Sequence, residues 1–297
     1  MKTPIFTGSC IAIITPFKDG GRKIDYDKFE KIINYQIEHK TDAICVCGTT
    51  GEAPTLTDPE HISAVRFCCE IVGGRIPVIA GTGSNDTAHA VMLSNEVEKC
   101  GADALLLVTP YYNKTSQEGL IKHYYHIADN VNLPMVLYNV PSRTGVNIKP
   151  ETYLELSKHP RINACKEANG DISSVAKTRA LCGDELNMYS GNDDQIFPIT
   201  AYGGKGVISV LSHVAPEVAH DIAALAVAGE YEKSRAMQLE WLDLCNALFC
   251  DVNPIPVKAA MNLMGWDVGD CRLPLPRLSD DKTEFLASVM RKHGLIA

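Results

Sequence analysis

A lysine inside an apolar stretch is the residue of this chain best suited to covalent chemistry. Lys166 ends the run from Ile162 to Lys166, whose composition is typical of a short buried strand. Burial disfavours the ammonium form, so an enclosed lysine loses its proton readily and becomes an amine nucleophile toward a carbonyl. The sequence therefore predicts a Schiff base at Lys166. The alternative is a lysine at a strand end whose ammonium lies in solvent or pairs with Glu167.

Hydroxyl and guanidinium groups elsewhere in the chain complement such an amine. Tyr138 can move protons when an amine attacks a ketone and water leaves, and Thr49 and Thr50 can hold a carboxylate beside that ketone. The planar guanidinium of Arg143 can bind a second carboxylate through two hydrogen bonds. Together these side chains predict a 2-oxo acid and an acidic second substrate. Taken singly, the threonines also suit turns, Tyr138 a core position and Arg143 a surface ion pair.

The elements that must position these groups are eight apolar runs rich in valine and isoleucine, each followed by a turn and room for one helix. Several runs are apolar nearly throughout, as expected of parallel strands buried on both faces. Eight such units predict an α/β fold, a (β/α)8 TIM barrel. The runs are Cys10 to Phe17, Ala43 to Gly48, Ile76 to Thr82, Ala104 to Pro110, Pro134 to Val140, Ile162 to Lys166, Leu186 to Ser190 and Gly206 to Val210.

In such a barrel the reactive side chains lie at the carboxyl ends of the strands and in the loops that follow. Gly48-Thr49-Thr50-Gly51-Glu52 follows the second run, and Tyr138 to Arg143 closes the fifth. Lys166 ends the sixth run and Gly191 follows the seventh. We therefore expect these groups to converge on one site.

The chain after the eighth run is predicted to be mostly helical. We expect residues 1–225 to form the catalytic barrel and residues 226–297 to form a C-terminal helical extension. This extension is longer than the closing helix of a barrel requires. We expect it to cover one side of the barrel or to pack against another subunit.

Composition argues against several classes of function. The net charge is −8, and the lysines and arginines are dispersed, which argues against nucleic acid or anionic lipid as a partner. No apolar run approaches the roughly 20 residues of a membrane span. The eleven cysteines include no Cys-x-x-Cys pair, so we expect reduced thiols in a cytoplasm. No metal or other cofactor is expected, because the strand-end carboxylates are not spaced as metal ligands.

Five ordered motifs carry a resemblance to a known family. The chain resembles the dihydrodipicolinate synthase family, also called 4-hydroxy-tetrahydrodipicolinate synthases, within the pyruvate-dependent class I aldolases. The likeness runs from Phe6 to the carboxyl terminus. The motifs are Gly48-Thr49-Thr50-Gly51-Glu52, Tyr138-Asn139-Val140-Pro141-Ser142-Arg143-Thr144-Gly145, Lys166-Glu167-Ala168, Gly206-Val207-Ile208-Ser209-Val210 and Asn253-Pro254-Ile255-Pro256-Val257-Lys258.

The resemblance implies an activity and a role for each site residue. Lys166 would form a Schiff base with pyruvate, and Tyr138 would donate and accept protons, with Thr49 and Tyr112 completing a relay. The second substrate would be L-aspartate-4-semialdehyde, in the diaminopimelate route of lysine biosynthesis, with its carboxylate on the arginine. No cofactor beyond the covalent imine is implied. The substrate-binding residues would be Thr50, the backbone at Ile208, Arg143 and Gly191.

The resemblance also implies an assembly. In the family, Tyr112 of one subunit reaches the site of its dimer neighbour, and two such dimers usually form a tetramer. A homotetramer is therefore expected of this chain.

Relatives within the superfamily provide the nearest alternative. N-acetylneuraminate lyases and keto-deoxy sugar-acid aldolases share the lysine and the tyrosine. The lyases typically carry Gly-Ser-Thr-Gly-Glu and lack the Pro-Ser-Arg-Thr-Gly run that holds Arg143, so this chain favours the synthase. Two further alternatives are a catalytically silent binder of 2-oxo acids, which would not need the amine of Lys166, and a structural oligomer that uses the helical extension.

One region departs from the pattern of lysine-inhibited members. Those relatives place a serine and an alanine after Gly-Glu, a histidine a few residues later, and a glutamate on the helix after Gly-x-Asn. The departures leave a vestigial effector site and predict weak or absent feedback inhibition by lysine. The changed positions are Ala53, Pro54, Asp58 and His89, and the retained ones are His61, Asn85 and Tyr111.

Overall fold

Eight parallel strands form the centre of the fold, and the computed structural model describes all 297 residues. Each strand pairs with its neighbour in the chain, and the first pairs with both the second and the eighth, so the sheet closes into a barrel. This confirms the predicted (β/α)8 barrel with a C-terminal helical part. The strands are β1 (Gly8–Ala12), β2 (Ala43–Val46), β3 (Val78–Gly81), β4 (Ala104–Val108), β5 (Met135–Asn139), β6 (Ile162–Glu167), β7 (Asn187–Ser190) and β8 (Gly206–Ser209).

The first strand is shorter at its carboxyl end than the sequence indicates. The apolar run extends to Phe17, but β1 ends at Ala12, because beyond Ile13 the backbone amides find other partners. The amide of Ile14 donates to Nε2 of His213 at 3.0 Å, outside the strand ladder. The chain then forms an antiparallel hairpin that the sequence analysis missed, in which Phe17–Lys18 pairs with Lys23–Ile24.

Helices separate successive strands and cover the outside of the barrel. The helix after β2 begins with a capping box, in which Thr57 and Glu60 each accept a hydrogen bond from the other's amide. No helix is both long and apolar enough to cross a lipid bilayer. The helices are Tyr26–Glu38, Asp58–Val72, Thr87–Glu98, Gln117–Asp129, Pro141–Thr144, Pro150–Leu156, Ile172–Cys182, Ile196–Ala201, Pro216–Val227, Tyr231–Glu240, Leu242–Ala247, Ile255–Leu263 and Asp280–Lys292.

The core has two layers, one between the strands and the helices and one inside the barrel. The inner layer is rich in alanine and cysteine, which leaves room for long side chains near the carboxyl ends of the strands. At the opposite end the rings of Phe6 and Tyr189 stack at 4.2 Å, and the Tyr189 hydroxyl donates to the Phe6 carbonyl at 2.8 Å. This pair fills the barrel interior close to the amino-terminal end of β1.

The C-terminal helices reach back to the loop after β2. Lys258, on the helix Ile255–Leu263, pairs with Glu52 at 2.5 Å, and both side chains are almost fully buried. The Phe17 ring lies between two cations, with Nζ of Lys258 4.2 Å and Cζ of Arg272 4.4 Å from its centroid. The helix Pro216–Val227 runs across residue 225, so the proposed division into a barrel and an extension falls inside a helix.

Candidate active site

Lys166 and Tyr138 are direct neighbours at the carboxyl ends of adjacent strands. They are register partners on β6 and β5, and both side chains are buried inside the barrel. The Nζ atom of Lys166 lies 4.3 Å from the centroid of the Tyr138 ring. Burial raises the pKa of the Cys45 thiol, in the same interior, to about 11, so this thiol stays protonated at neutral pH. The lysine amine is therefore the candidate nucleophile of the barrel interior.

Gly191 gives the Lys166 side chain its space. A Cβ atom at this position would lie 2.8 Å from Cβ of Ala168 and 3.2 Å from Cγ of Lys166. Any larger residue would push the lysine stem out of place. Gly191, predicted to bind substrate, therefore lies directly against the predicted Schiff-base lysine.

The two groups predicted to hold carboxylates are linked through one residue of the C-terminal region. Asn253 is buried, and its Nδ2 donates to the Thr50 hydroxyl at 3.0 Å. Nη2 of Arg143 donates to the Asn253 carbonyl at 3.2 Å, from the short helix Pro141–Thr144. The Asn253 Oδ1 atom is buried without a hydrogen-bond partner. The motif that contains Asn253 did not by itself predict a role for this side chain.

The loop after β8 is fixed by a buried carboxylate. Asp193 Oδ2 accepts hydrogen bonds from the amides of Val210 and Leu211, each at 2.9 Å. Burial raises the pKa of the Asp193 carboxyl. These bonds hold the backbone that follows Ile208, which is itself buried at the centre of the barrel. Asp193 thus orders the chain next to a residue predicted to bind substrate.

A cavity of about 410 Å³ opens beside these groups. Thr49, Tyr138 and Arg143 line it, whereas Lys166 itself does not. Most of the predicted effector residues line the same cavity, so the structure brings the two predicted sites together. The exception is Asn85, whose backbone carbonyl accepts a hydrogen bond from Asn113. The effector residues on the cavity wall are Ala53, Pro54, Asp58, His61, His89 and Tyr111.

Tyr112 lies apart from the other predicted catalytic residues. Its side chain is 91% exposed, and its backbone has φ +68°, a left-handed conformation that is unusual for a tyrosine. Neither Tyr112 nor Thr49 is hydrogen-bonded to Tyr138 within this chain. Because Tyr112 is so exposed, its aromatic ring projects from the surface of the subunit.

Comparison with known proteins gives a consistent result over nearly the whole chain. A model of the dihydrodipicolinate synthetase family matches residues 5–293. The chain is 52% identical over 294 residues to a 4-hydroxy-tetrahydrodipicolinate synthase of Thermoanaerobacter sp. (strain X514), which covers 99% of this chain and 98% of the relative. The chain belongs to the dihydrodipicolinate synthetase family.

Solved structures of synthases in the dihydrodipicolinate synthetase family share the whole fold. A chloride-inhibited synthase from Acinetobacter baumannii, solved in complex with pyruvate, superimposes with a TM-score of 0.95 at 40% identity, over 98% of this chain and 99% of that one. A synthase variant described as monomeric also gives a TM-score of 0.95, at 43% identity and 98% coverage of both chains. The barrel and the C-terminal helices are therefore common to these proteins, which are class I aldolase-type lyases.

Glu167, next to Lys166 on β6, has a set of contacts that the sequence did not predict. Its carboxylate accepts hydrogen bonds from Nδ2 of Asn139 at 3.0 and 3.1 Å, from the Tyr153 hydroxyl at 3.1 Å and from the Asn169 amide at 2.9 Å. Burial nevertheless raises the pKa of Glu167 to about 7. Strand alternation was the available signal, because it places Glu167 on the opposite face from Lys166.

The raised pKa of Glu167 predicts that Glu167→Gln stabilises the protein in neutral and alkaline solution. Below the unfolded pKa of about 4.3 the carboxyl is neutral in both states and costs nothing. As pH rises toward the folded pKa of about 7, the unfolded state ionises first, so wild-type stability falls relative to the variant by about 4 kcal/mol in total. Burial raises the pKa values of the neighbouring Tyr153 and Cys165, so both stay neutral here.

Urea unfolding of both proteins from pH 4 to pH 8, at one protein concentration, measures this difference. The two free energies of unfolding should diverge with rising pH and run parallel above the folded pKa. A pH-independent difference would show that Glu167 is not protonated in the folded protein.

Proposed function

We propose that this chain is a 4-hydroxy-tetrahydrodipicolinate synthase that condenses pyruvate with L-aspartate-4-semialdehyde. The observation that carries the proposal is the buried Lys166, with its Nζ atom 4.3 Å from the Tyr138 ring centroid at the open end of the barrel. The relatives named above, which match over nearly the full chain, support the same reaction. The product would enter the diaminopimelate route to lysine.

The reaction follows from amine and carbonyl chemistry at one lysine. The Lys166 amine adds to C2 of pyruvate, and water leaves as the imine forms. Loss of a proton from C3 gives an enamine, whose carbon attacks the aldehyde of the second substrate. The amino group of that substrate then attacks the imine carbon, which closes the ring and frees Lys166. Tyr138 would move protons in these steps, in a relay with Thr49 and a neighbouring subunit's Tyr112.

Two sets of hydrogen-bond donors would hold the two substrates, one set for each carboxylate. Thr50, the backbone at Ile208 and Gly191, the last of which lies against Lys166, would bind the pyruvate carboxylate. Arg143 faces the cavity and would bind the carboxylate of the semialdehyde. No resident metal or organic cofactor is required, because the lysine itself forms the electron-withdrawing imine.

Assembly and location are also part of the proposal. The exposed, left-handed Tyr112 is suited to reach a neighbouring subunit, which supports a dimer and, with two dimers, a homotetramer. All eleven cysteines are free thiols and most are buried, which supports a reducing cytoplasmic location. Sedimentation of the wild type and of Tyr112→Phe would give the size of the oligomer. The kcat of the variant would show whether the Tyr112 hydroxyl takes part in the proton relay.

A coupled assay tests the proposed reaction directly. With pyruvate and L-aspartate-4-semialdehyde present, pyruvate should be consumed in equimolar amount with the aldehyde. N-acetylneuraminate and keto-deoxy sugar acids, the substrates of the alternative aldolases, should not be cleaved. Cleavage of either at a comparable kcat/KM, without condensation, would assign the chain to the other branch of the superfamily. Pyruvate binding without turnover would favour a binding protein.

The vestigial effector residues predict that L-lysine does not inhibit this enzyme effectively. Asp58 Oδ1 and His89 Nε2 already pair with each other at 3.1 Å, and His61 Nε2 donates to the Gly81 carbonyl at 2.8 Å. Burial lowers the pKa of His61, so it stays neutral. Losing a free carboxylate for the ligand ammonium removes ~1.5 to 3 kcal/mol, or about 10- to 150-fold in affinity.

Inhibition titrations with L-lysine measure this effect. The variant Asp58→His/His89→Glu reverses the pair and is expected to lower the inhibition constant. An inhibition constant for the wild type in the low millimolar range or below would contradict the prediction.

A further inference from the structure

The outer face of the barrel wall carries a polar network directly behind the proposed catalytic pair. Tyr138 and Lys166 are register partners on β5 and β6, and the next pair along the same strands is Asn139 and Glu167. Because side chains alternate along a strand, the second pair faces the surrounding helices instead of the barrel interior. Both side chains are buried.

The second pair is joined across the strands by side-chain hydrogen bonds. Nδ2 of Asn139 donates to both carboxylate oxygens of Glu167, at 3.0 and 3.1 Å. The strands are also joined there by the Ala168 amide, which donates to the Asn139 carbonyl at 2.9 Å. A side-chain link therefore adds to the backbone ladder one residue beyond the catalytic pair.

Each arm of this link is itself fixed by a neighbouring element. Asn139 Oδ1 accepts from the Ile148 amide at 3.0 Å, which holds the amide group in one orientation. The Tyr153 hydroxyl, from the helix Pro150–Leu156, and the Asn169 amide donate to Glu167. On the other side the Gly191 amide donates to the Glu167 carbonyl at 2.8 Å, which ties β7 to the same residue.

We propose that Glu167 and Asn139 are positioning residues, a hydrogen-bonded clamp that fixes the separation of Lys166 and Tyr138 for imine chemistry. This inference rests on the proposed function. The clamp touches no substrate and acts through the one side chain that precedes it on each strand, Tyr138 on β5 and Lys166 on β6. The clamp depends on the length of the Glu167 side chain, which brings the carboxyl group to Asn139, and not on the charge of that group. The raised pKa of Glu167, about 7, is consistent with that, since the carboxyl is partly protonated at neutral pH.

Two conservative variants separate reach from charge. Glu167→Gln keeps the length and an acceptor oxygen but removes the charge, whereas Glu167→Asp keeps the charge and withdraws the carboxylate by one methylene. A misplacement of about 1 Å at a reacting group can cost about a hundredfold in rate. We expect Glu167→Asp to lose about ten- to a hundredfold in kcat, with a smaller change in KM for pyruvate. Glu167→Gln should stay within about threefold of wild type in kcat.

The experiment measures kcat per competent site. Each protein is incubated with pyruvate and borohydride until the adduct no longer increases, and intact mass then gives the fraction of chains that carry one reduced pyruvyl adduct. Dividing kcat by that fraction removes any loss due to misfolded chains, so a merely structural role would leave the quotient unchanged. Tyr153→Phe is the matched control, because it removes one hydrogen bond to Glu167 and leaves the Asn139 link intact. Its quotient should equal that of wild type.

Three results would overturn the proposal. Glu167→Asp could retain the wild-type quotient within threefold, or Glu167→Gln could lose as much as Glu167→Asp, which would assign the effect to charge. If Glu167→Asp does not fold, Asn139→Ser, which shortens the other arm, takes its place under the same criterion. A wild-type chain that acquires no adduct would refute the proposed function itself, and the clamp role with it.

Discussion

Lys166→Arg is expected to form no pyruvyl adduct under borohydride and to lose at least about 10⁴-fold in kcat. The arginine side chain is of similar length, but a guanidinium is not deprotonated in proteins and cannot add to a ketone. The expected wild-type result is a mass gain of one reduced pyruvyl group per chain. Intact-mass spectrometry and the coupled assay measure both effects.

A second buried lysine makes the position of the adduct informative. Lys258 is as enclosed as Lys166 but is paired with Glu52 at 2.5 Å, so its amine is held as one partner of an ion pair. Peptide mapping of the wild-type adduct should place it on Lys166 alone. Lys177→Arg, on an exposed position, is the matched control and should behave as wild type. A full adduct on the Lys166→Arg protein would mean that another amine is the nucleophile.

The largest expected effect on stability comes from the same ion pair. Lys258→Met should lower the free energy of unfolding by about 3 to 5 kcal/mol, because it leaves the Glu52 carboxylate buried without a cation. Burial already lowers the pKa of Lys258, which shows that desolvation opposes the charge even with Glu52 beside it. Urea unfolding at a fixed protein concentration measures the difference.

The double variant Glu52→Gln/Lys258→Met tests the cause. It removes both charges and keeps an oxygen that can accept from the Arg272 amide, which now donates to Glu52 at 2.8 Å, so most of the lost stability should return. Lys122→Met breaks a fully exposed pair with Glu118 and should leave the unfolding midpoint unchanged. If Lys258→Met cost as little as this control, the buried pair would not be a major support of the fold.

The barrel could be predicted from the sequence because its signal is local. Each buried strand gives a short apolar run, and the runs recur with room for one helix between them. The strand-end rule then assigns Lys166 and Tyr138 to the same end of the barrel. The hairpin Phe17–Lys18 and Lys23–Ile24 was missed because two-residue strands leave no periodic pattern. The helix Pro141–Thr144 was missed although its proline start and Gly145 end are recognisable signals.

The tertiary links of the site could not be predicted in the same way. Asn253 and Thr50 are 203 positions apart, and nothing in either local sequence specifies that one donates to the other. The roles of Asp193 and Glu167 depend on what packs around them, which decides whether a buried carboxylate is hydrogen-bonded. Sequence alternation gives the side of a strand on which Glu167 lies, but not the presence of Asn139 and Tyr153 there.

The order in which the chain is synthesised gives the Asn253 and Lys258 contacts a further consequence. A nascent chain that ends near residue 225 contains all eight strands, with Lys166 and Tyr138 among them. It lacks the amide that bonds Thr50, the carbonyl that holds Arg143 and the cation that neutralises Glu52. The part of the site proposed to bind the substrate carboxylates is therefore completed last. The nascent chain would therefore contain the proposed nucleophile, Lys166, before the proposed substrate-binding groups are in place.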